Sequence, residues 1–151
     1  MSTTTATLSP AEQATYRLIA GMMIPASAEY NVPGADDDLI FADIVRSTGR
    51  DTEAISRALA ELDSLAGGSF AKADAATRDS AVAKWRANNS ADFTLAQRLV
   101  LQCYYRDDRV MISLGMEPRP PFPKGHELPQ GDWSLLDPVR ARPPLWRPAP
   151  R

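Results

Sequence analysis

Apolar residues recur along the first 117 positions at the three- and four-residue spacing of amphipathic helices, and nowhere do four or more residues alternate cleanly between apolar and polar. The pattern predicts an all-α fold, a small bundle of about five or six helices, with no sheet and no internal repeat. The first helix opens at Ser9-Pro10-Ala11-Glu12. There Ser9 can cap, Pro10 suits the first helical position, and Glu12 completes a capping box. Tyr16, Ile19 and Met23, flanked by Leu18 and Met22, form its apolar stripe, and Pro25 stops it after Ile24. After a loop to Gly34, the run Asp36-Asp37-Asp38 places negative charge where a helix N-terminus favours it. Leu39, Ile40, Phe41, Ile44 and Val45 follow, up to a stop at Gly49.

A third helix is expected over Thr52 to Ala66, capped by Asp51, with Ile55, Leu59 and Leu62 inward and Arg57 and Glu61 as an i, i+4 ion pair outside. Gly67-Gly68 ends it. The Ala-rich stretch from Asp74 to Asn88 reads as a helix whose large apolar residues are Val82 and Trp85. Ser90 caps a fifth, lined by Phe93, Leu95, Leu99, Val100, Cys103 and Tyr104 and running to Tyr105. A short one from Asp108 to Leu114 closes at Gly115.

Proline and charge then divide the chain. Ten of the thirteen prolines fall between Pro118 and Arg151. That segment carries six basic residues against three acidic, whereas residues 1–117 carry eleven against sixteen. Proline at this density blocks helix interiors and removes ladder donors, so 118–151 is expected to be an extended basic arm beside an acidic helical domain, within one structural unit. A net charge of -2 gives no field that would draw the chain to nucleic acid, and no apolar run approaches a membrane span.

Candidate chemistry is sparse. One cysteine and one histidine exclude an intrachain disulfide and any metal site needing two of these ligands together. Cys103 lies on an apolar helix face, where no nearby cation or helix N-terminus is expected to activate it. His126, in the turn-like Pro123-Lys124-Gly125-His126-Glu127, could serve a stand-alone enzyme or binding protein together with Asp132, but a loop histidine without a shaped pocket is the plainer reading. Asp36 to Asp38 lack the spacing of a calcium loop, and Gly67-Gly68 lacks the pattern of a phosphate loop.

The arm itself is the unusual feature. Pro120, Pro121, Phe122 and Pro123, then Trp133, then Arg142, Pro143, Pro144, Trp146 and Arg147 combine a stiffened backbone with residue types enriched at interface hot spots. Such an arm either covers its own helices or docks on a partner.

Two stretches resemble a known family. Tyr16-Arg17-Leu18-Ile19-Ala20-Gly21-Met22-Met23-Ile24-Pro25, with Gly34-Ala35-Asp36 and the helix holding Phe41, Ile44 and Val45, is similar to the N-terminal pattern of the gluconate 2-dehydrogenase subunit 3 family. Tyr104-Tyr105-Arg106-Asp107-Asp108-Arg109-Val110, then Leu114-Gly115 and Pro121-Phe122-Pro123-Lys124-Gly125, resembles that family's tyrosine pair, short helix and Pro/Gly-rich end. The resemblance frames residues from about 8 to 125. It implies a non-catalytic, cofactor-free small subunit in a heterodimeric oxidoreductase complex. The partner would be a large FAD-dependent sugar or alcohol dehydrogenase of the glucose-methanol-choline type, with a cytochrome c as acceptor. Tyr104 and Tyr105 join the arm residues as expected partner contacts. Many family members carry a twin-arginine signal. Met1-Ser2-Thr3-Thr4-Thr5 has neither an arginine pair nor an apolar core, so a cytoplasmic chain is expected unless a signal was removed or lies on the partner.

Overall fold

In the computed structural model, residues 7–120, 122, 124–125, 127–143 and 145 are described. Two compact units divide the chain, Met1–Pro118 and Arg119–Arg151. Among its described residues the first is a bundle of six helices: α1 (Pro10–Met23), α2 (Asp38–Ser47), α3 (Thr52–Leu65), α4 (Ala75–Asn88), α5 (Ala91–Tyr104) and α6 (Asp108–Ser113). Short 3-10 turns at Gly49–Asp51 and Phe70–Lys72 join them. The described residues contain no strand, only an isolated bridge between Ser27 and Val32. The fold is all-α, as the hydrophobic pattern predicts.

Most helix starts follow from local hydrogen-bond chemistry. The Ser9 hydroxyl accepts from the Glu12 N–H while Glu12 Oε2 accepts from the Ser9 N–H at 2.7 Å, so both halves of the capping box form. Asp74, Ser90 and Asp107 cap α4, α5 and α6 with the side-chain oxygen alone, accepting from the N–H of Thr77, Phe93 and Arg109. Asp51 does not cap α3. It ends the 3-10 turn that runs straight into the helix, and its own N–H donates to the Thr48 carbonyl at 2.8 Å. The turn thus supplies backbone partners, while Thr52 Oγ1 donates to the Gly49 carbonyl at 2.8 Å.

α3 is the central helix. Ile55, Ala58, Leu59 and Leu62 form its fully buried face, and α5, α4 and α1 pack against it. Tyr16, Ile19 and Ala20 enter from α1, Ile40, Phe41 and Ile44 from α2, and Phe93, Ala96, Val100 and Cys103 from α5. The Tyr16 hydroxyl donates to the Ala96 carbonyl at 2.8 Å, which satisfies the one polar atom that this ring carries into the core. Met22, expected on the core stripe, is 41% exposed and outside the core, because Ala20 and Thr15 take inward positions of α1. Arg57 and Glu61 do not pair with each other. Arg57 donates to both oxygens of Asp92 on α5, at 2.8 and 3.2 Å, and Glu61 accepts from Asn88 and Ser90 at the α4–α5 turn. Two helix ends offer these side chains partners that their own helix does not.

The second unit departs from the expected extended arm over its middle. A 3-10 turn, Trp133–Leu136, leads into α7 (Asp137–Arg140). Pro138 stands in the first turn of α7, where its missing N–H has no helical partner to lose, and Asp132 caps the preceding turn by accepting from the Ser134 N–H at 3.0 Å. No described residue of this unit is buried. Its described residues form no core of their own.

Close packing fixes one loop position. A Cβ on Gly34 would meet the Ala26 backbone nitrogen at 2.9 Å and the Asp36 carboxylate closer still. Gly34→Ala is therefore expected to lose about 1–3 kcal/mol in urea unfolding through overpacking, and Leu59→Ala about 2–5 kcal/mol through the cavity it opens. Equal unfolding midpoints for Leu59→Ala and the parent chain would contradict a core centred on α3.

Candidate functional site

Three kinds of region among the described residues carry side chains suited to chemistry or binding: a charged corner where α2 meets the α5–α6 turn, an apolar cleft among α1, α4 and α5, and exposed apolar side chains, found separately on the first unit near α6 and on the second unit.

The charged corner begins with the aspartate triplet. Asp37, the middle one, caps α2 by accepting from the Leu39 and Ile40 N–H groups and also accepts from Arg109 Nη2 at 2.7 Å. Arg109 in turn donates from Nε to Asp107 at 2.9 Å, so one guanidinium joins the starts of α2 and α6. Asp38 pairs with Arg17. Asp43 accepts from Arg106 Nε at 2.6 Å and also pairs with Arg46. The Arg109 guanidinium holds the Asp37 and Asp107 carboxyls below the ordinary carboxylate range. At Asp43 partial burial acts in the opposite direction, but the Arg106 and Arg46 guanidiniums together outweigh it and lower the pKa. These charges are spent on each other, which is an arrangement for joining helices.

Cys103 lies beside this corner and is buried. A cation does stand near it, contrary to expectation: Arg106 Nη2 is 3.5 Å from Sγ, brought back by the turn after α5. Burial nevertheless dominates and pushes the thiol upward, so the sulfur behaves as a packed hydrophobe. Among the described residues no group of three His, Cys, Asp or Glu side chains is placed to hold a metal ion. No helix among them is long and apolar enough to cross a membrane.

The cleft of about 390 Å3 is walled by Ile19, Met22, Met23 and Ile24 of the α1 end, Val82 and Trp85 of α4, and Phe93 and Leu101 of α5, with Asp79, Arg86 and Gln97 also lining it. Trp85 is only 2% exposed and stacks edge-on against Phe93, with ring centroids 4.6 Å apart. Its indole Nε1 is buried with no hydrogen-bond partner. The sequence places Trp85 on an Ala-rich helix and carries no mark of a cleft. The cleft needs three helices at once, and no single stretch signals it.

The residues expected to meet a partner are distributed unevenly. Tyr104 is 4% exposed and belongs to the core, whereas Tyr105, at the end of α5, is 54% exposed. Their rings meet edge to face at 5.2 Å. Ile112, Leu114 and Met116 continue the exposed apolar surface of the first unit. In the second unit Phe122, Leu128, Trp133, Leu135 and Leu145 are all exposed, as are Pro120, Arg142 and Pro143. Trp133 Nε1 donates to Gln130 at 3.4 Å, and Arg119 donates to the Gly125 carbonyl at 2.8 Å. Asp132 is committed to Ser134, whose side chain and N–H hold its carboxyl below the ordinary range. His126, Pro121, Pro123, Pro144, Trp146 and Arg147 lie outside the described residues, as does the N-terminal stretch Met1 to Thr5.

Compared with protein-family models, curated proteins and solved structures, the chain matches none.

The corner has a measurable pH signature. Asp37, Asp43 and Asp107 bind protons less readily folded than unfolded, so their contribution is fully present above the ordinary carboxylate pKa, about 4, and is lost as pH falls through the lower folded values. Stability from urea unfolding is expected to decline on acidification from about pH 5 to about pH 3. Asp37→Asn keeps a capping oxygen but not the charge. It should be less stable at neutral pH and show a shallower acid decline, and an unchanged slope would remove Asp37 from the group responsible.

Proposed function

We propose that this chain is a non-catalytic helical subunit that binds and stabilises the large FAD-dependent subunit of a sugar or alcohol dehydrogenase. The observation that carries the reading is the second unit: Phe122, Leu128, Trp133, Leu135 and Leu145 stand exposed, and no described residue there is buried. Burying one such side chain is worth about 1.5–3 kcal/mol, so a segment that leaves all of them in water has much to gain from a surface supplied by another chain. Its prolines lower the entropy cost of ordering, and Arg142 and Trp133 are of the types that dominate interface energetics.

The resemblance to gluconate 2-dehydrogenase subunit 3 supplies the kind of partner. In this reading FAD, substrate specificity and transfer to a cytochrome c belong to the larger assembly, and this chain provides surface. Tyr105, Ile112, Leu114 and Met116 are exposed apolar residues of the first unit that offer it a contact surface of its own, and the buried Tyr104 packs edge to face on Tyr105. The pairing of Asp37, Asp43 and Asp107 with arginines accords with a structural role for the acidic side chains. Residues 146–151, which include Trp146 and Arg147, would lengthen the docking segment.

The test is co-purification. The tagged native protein is expected to retain a flavoprotein with the absorbance of oxidised flavin, and expression of that flavoprotein without this chain should lower the yield of soluble, flavin-loaded enzyme. Truncation after Met116 should lower recovery of the flavoprotein at least about tenfold while the far-ultraviolet signature of the helices persists. In the full chain, Phe122→Ala with Trp133→Ala should weaken the complex by about 2–4 kcal/mol, a range set by hot-spot truncations. Recovery of equal flavoprotein with the truncated chain would overturn the docking role.

A further inference from the structure

In the second unit the turn Trp133–Leu136 passes into α7 (Asp137–Arg140) without a break, and the resulting helical segment has two unlike sides. Trp133 and Leu136 stand three apart, which in a 3-10 turn stacks their side chains on one side. Val139 follows three after Leu136 and four after Leu135, so these join the same side. Ser134, Asp137 and Arg140, again at intervals of three, form the other. That polar side is satisfied within the segment: Ser134 Oγ donates to Asp132 at 2.6 Å, and Arg140 Nη1 donates to Asp137 at 3.3 Å. The apolar side is not covered. Trp133, Leu135, Leu136 and Val139 are 41% to 73% exposed. A helix this short is marginal in water by itself, yet local chemistry shapes it: Asp132 caps the turn, Pro138 stands in the first turn of α7, and the Ala141 N–H closes on the Asp137 carbonyl at 3.0 Å. The segment is preformed to show an apolar face.

Apolar anchors three to four residues apart are the pattern by which an amphipathic helix lies in an apolar groove of another protein. Charge narrows the partner. From Pro138 onward the sequence holds Arg140, Arg142, Arg147 and Arg151 and no acidic residue, whereas the start of the segment carries Asp132. The C-terminal end therefore matches carboxylates across an interface. An anionic bilayer would attract these arginines but repel Asp132 and Asp137. A second copy of the segment would supply one more strip of four side chains, well short of the about 800 Å2 per partner of a stable interface, while a groove encloses the helix from both flanks. We propose that the second unit docks through this helical face, with Trp133, Leu136 and Val139 entering an apolar groove on the FAD-dependent subunit and carboxylates at one end of the groove meeting Arg142 and the arginines after it. This rests on the subunit reading above and adds the mode of contact, which is a helix side and not an extended proline strip.

The purified complex of the tagged full-length chain with its flavoprotein provides the test. Relative to the free chain, hydrogen exchange is expected to slow at the backbone N–H groups of Asp137, Ala141 and Arg142, which bond within the helical segment. Leu136→Ala and Val139→Ala should each raise the dissociation constant about five- to twentyfold, whereas Leu128→Ala, exposed but outside the segment, should raise it less than about threefold. Asp132→Ala combined with Asp137→Gly keeps every apolar side chain and loosens the helix, so affinity should fall at least about fivefold. Arg142→Glu should weaken binding about three- to tenfold and flatten its dependence on salt. A parent chain that retains no flavoprotein overturns the subunit reading and this docking mode together. With the parent complex intact, the docking mode alone is overturned by unslowed exchange in the segment, by unchanged affinity in Leu136→Ala, Val139→Ala and the loosened helix, or by unchanged affinity in Arg142→Glu. Concentration-dependent dimers of the full-length chain that Leu136→Ala abolishes would overturn it in favour of a second copy, and binding to phosphatidylcholine–phosphatidylglycerol vesicles that is lost in Trp133→Ala would overturn it in favour of a membrane.

Discussion

Everything in the first unit depends on closing water away from one face of α3. Ile55, Ala58, Leu59 and Leu62 lie on that face without exposed surface, and no helix of this length could bury them alone. Each neighbour answers part of the requirement: Tyr16 and Ile19 from α1, Trp85 from α4, Val100 and Phe93 from α5. The short 3-10 turn before α3 and the Gly67 bend after it serve the same end, because they return the chain toward the face just described. What the neighbours give up in conformational freedom they recover as a shared apolar interior.

The acidic character of that unit then acquires a local explanation. Aspartates stand where backbone N–H groups would otherwise lack acceptors, at the starts of α2, α4 and α6, and one of them, Asp37, serves a second time as the partner of Arg109 from α6. One carboxylate thus terminates a helix and fastens it. That double use ties the start of α2 to the start of α6, while exposed apolar side chains remain at Tyr105, on α6 and in the second unit.

What was legible in the sequence was what is decided within a few residues. The Ser9 box, the Ser90 cap and the core triplet Ile55, Leu59, Leu62 are read from spacing because their physics acts within one turn. The pairing of Arg57 was missed because an i, i+4 rule sees only its own helix, and Asp92 competes from 35 positions away. Arg106 returning over Cys103 was missed for a related reason, since it depends on the path of a turn. In the second unit proline density was read as uniform, while the particular place of Pro138, in a first helical turn, permits α7. The cleft at Trp85 had no signal in any one segment, and the aspartate triplet did not reveal which member caps.

Helical bundles are usually assembled from neighbours in sequence. Here Arg109 reaches Asp37 across 72 positions, and the Tyr16 hydroxyl finds the Ala96 carbonyl across 80. Chain must be looped before either contact returns anything, and that entropy is spent in the transition state of folding. The joining of α1 and α2 to α5 and α6 therefore requires the last helices of the unit, so a chain cut before α5 would lack both contacts.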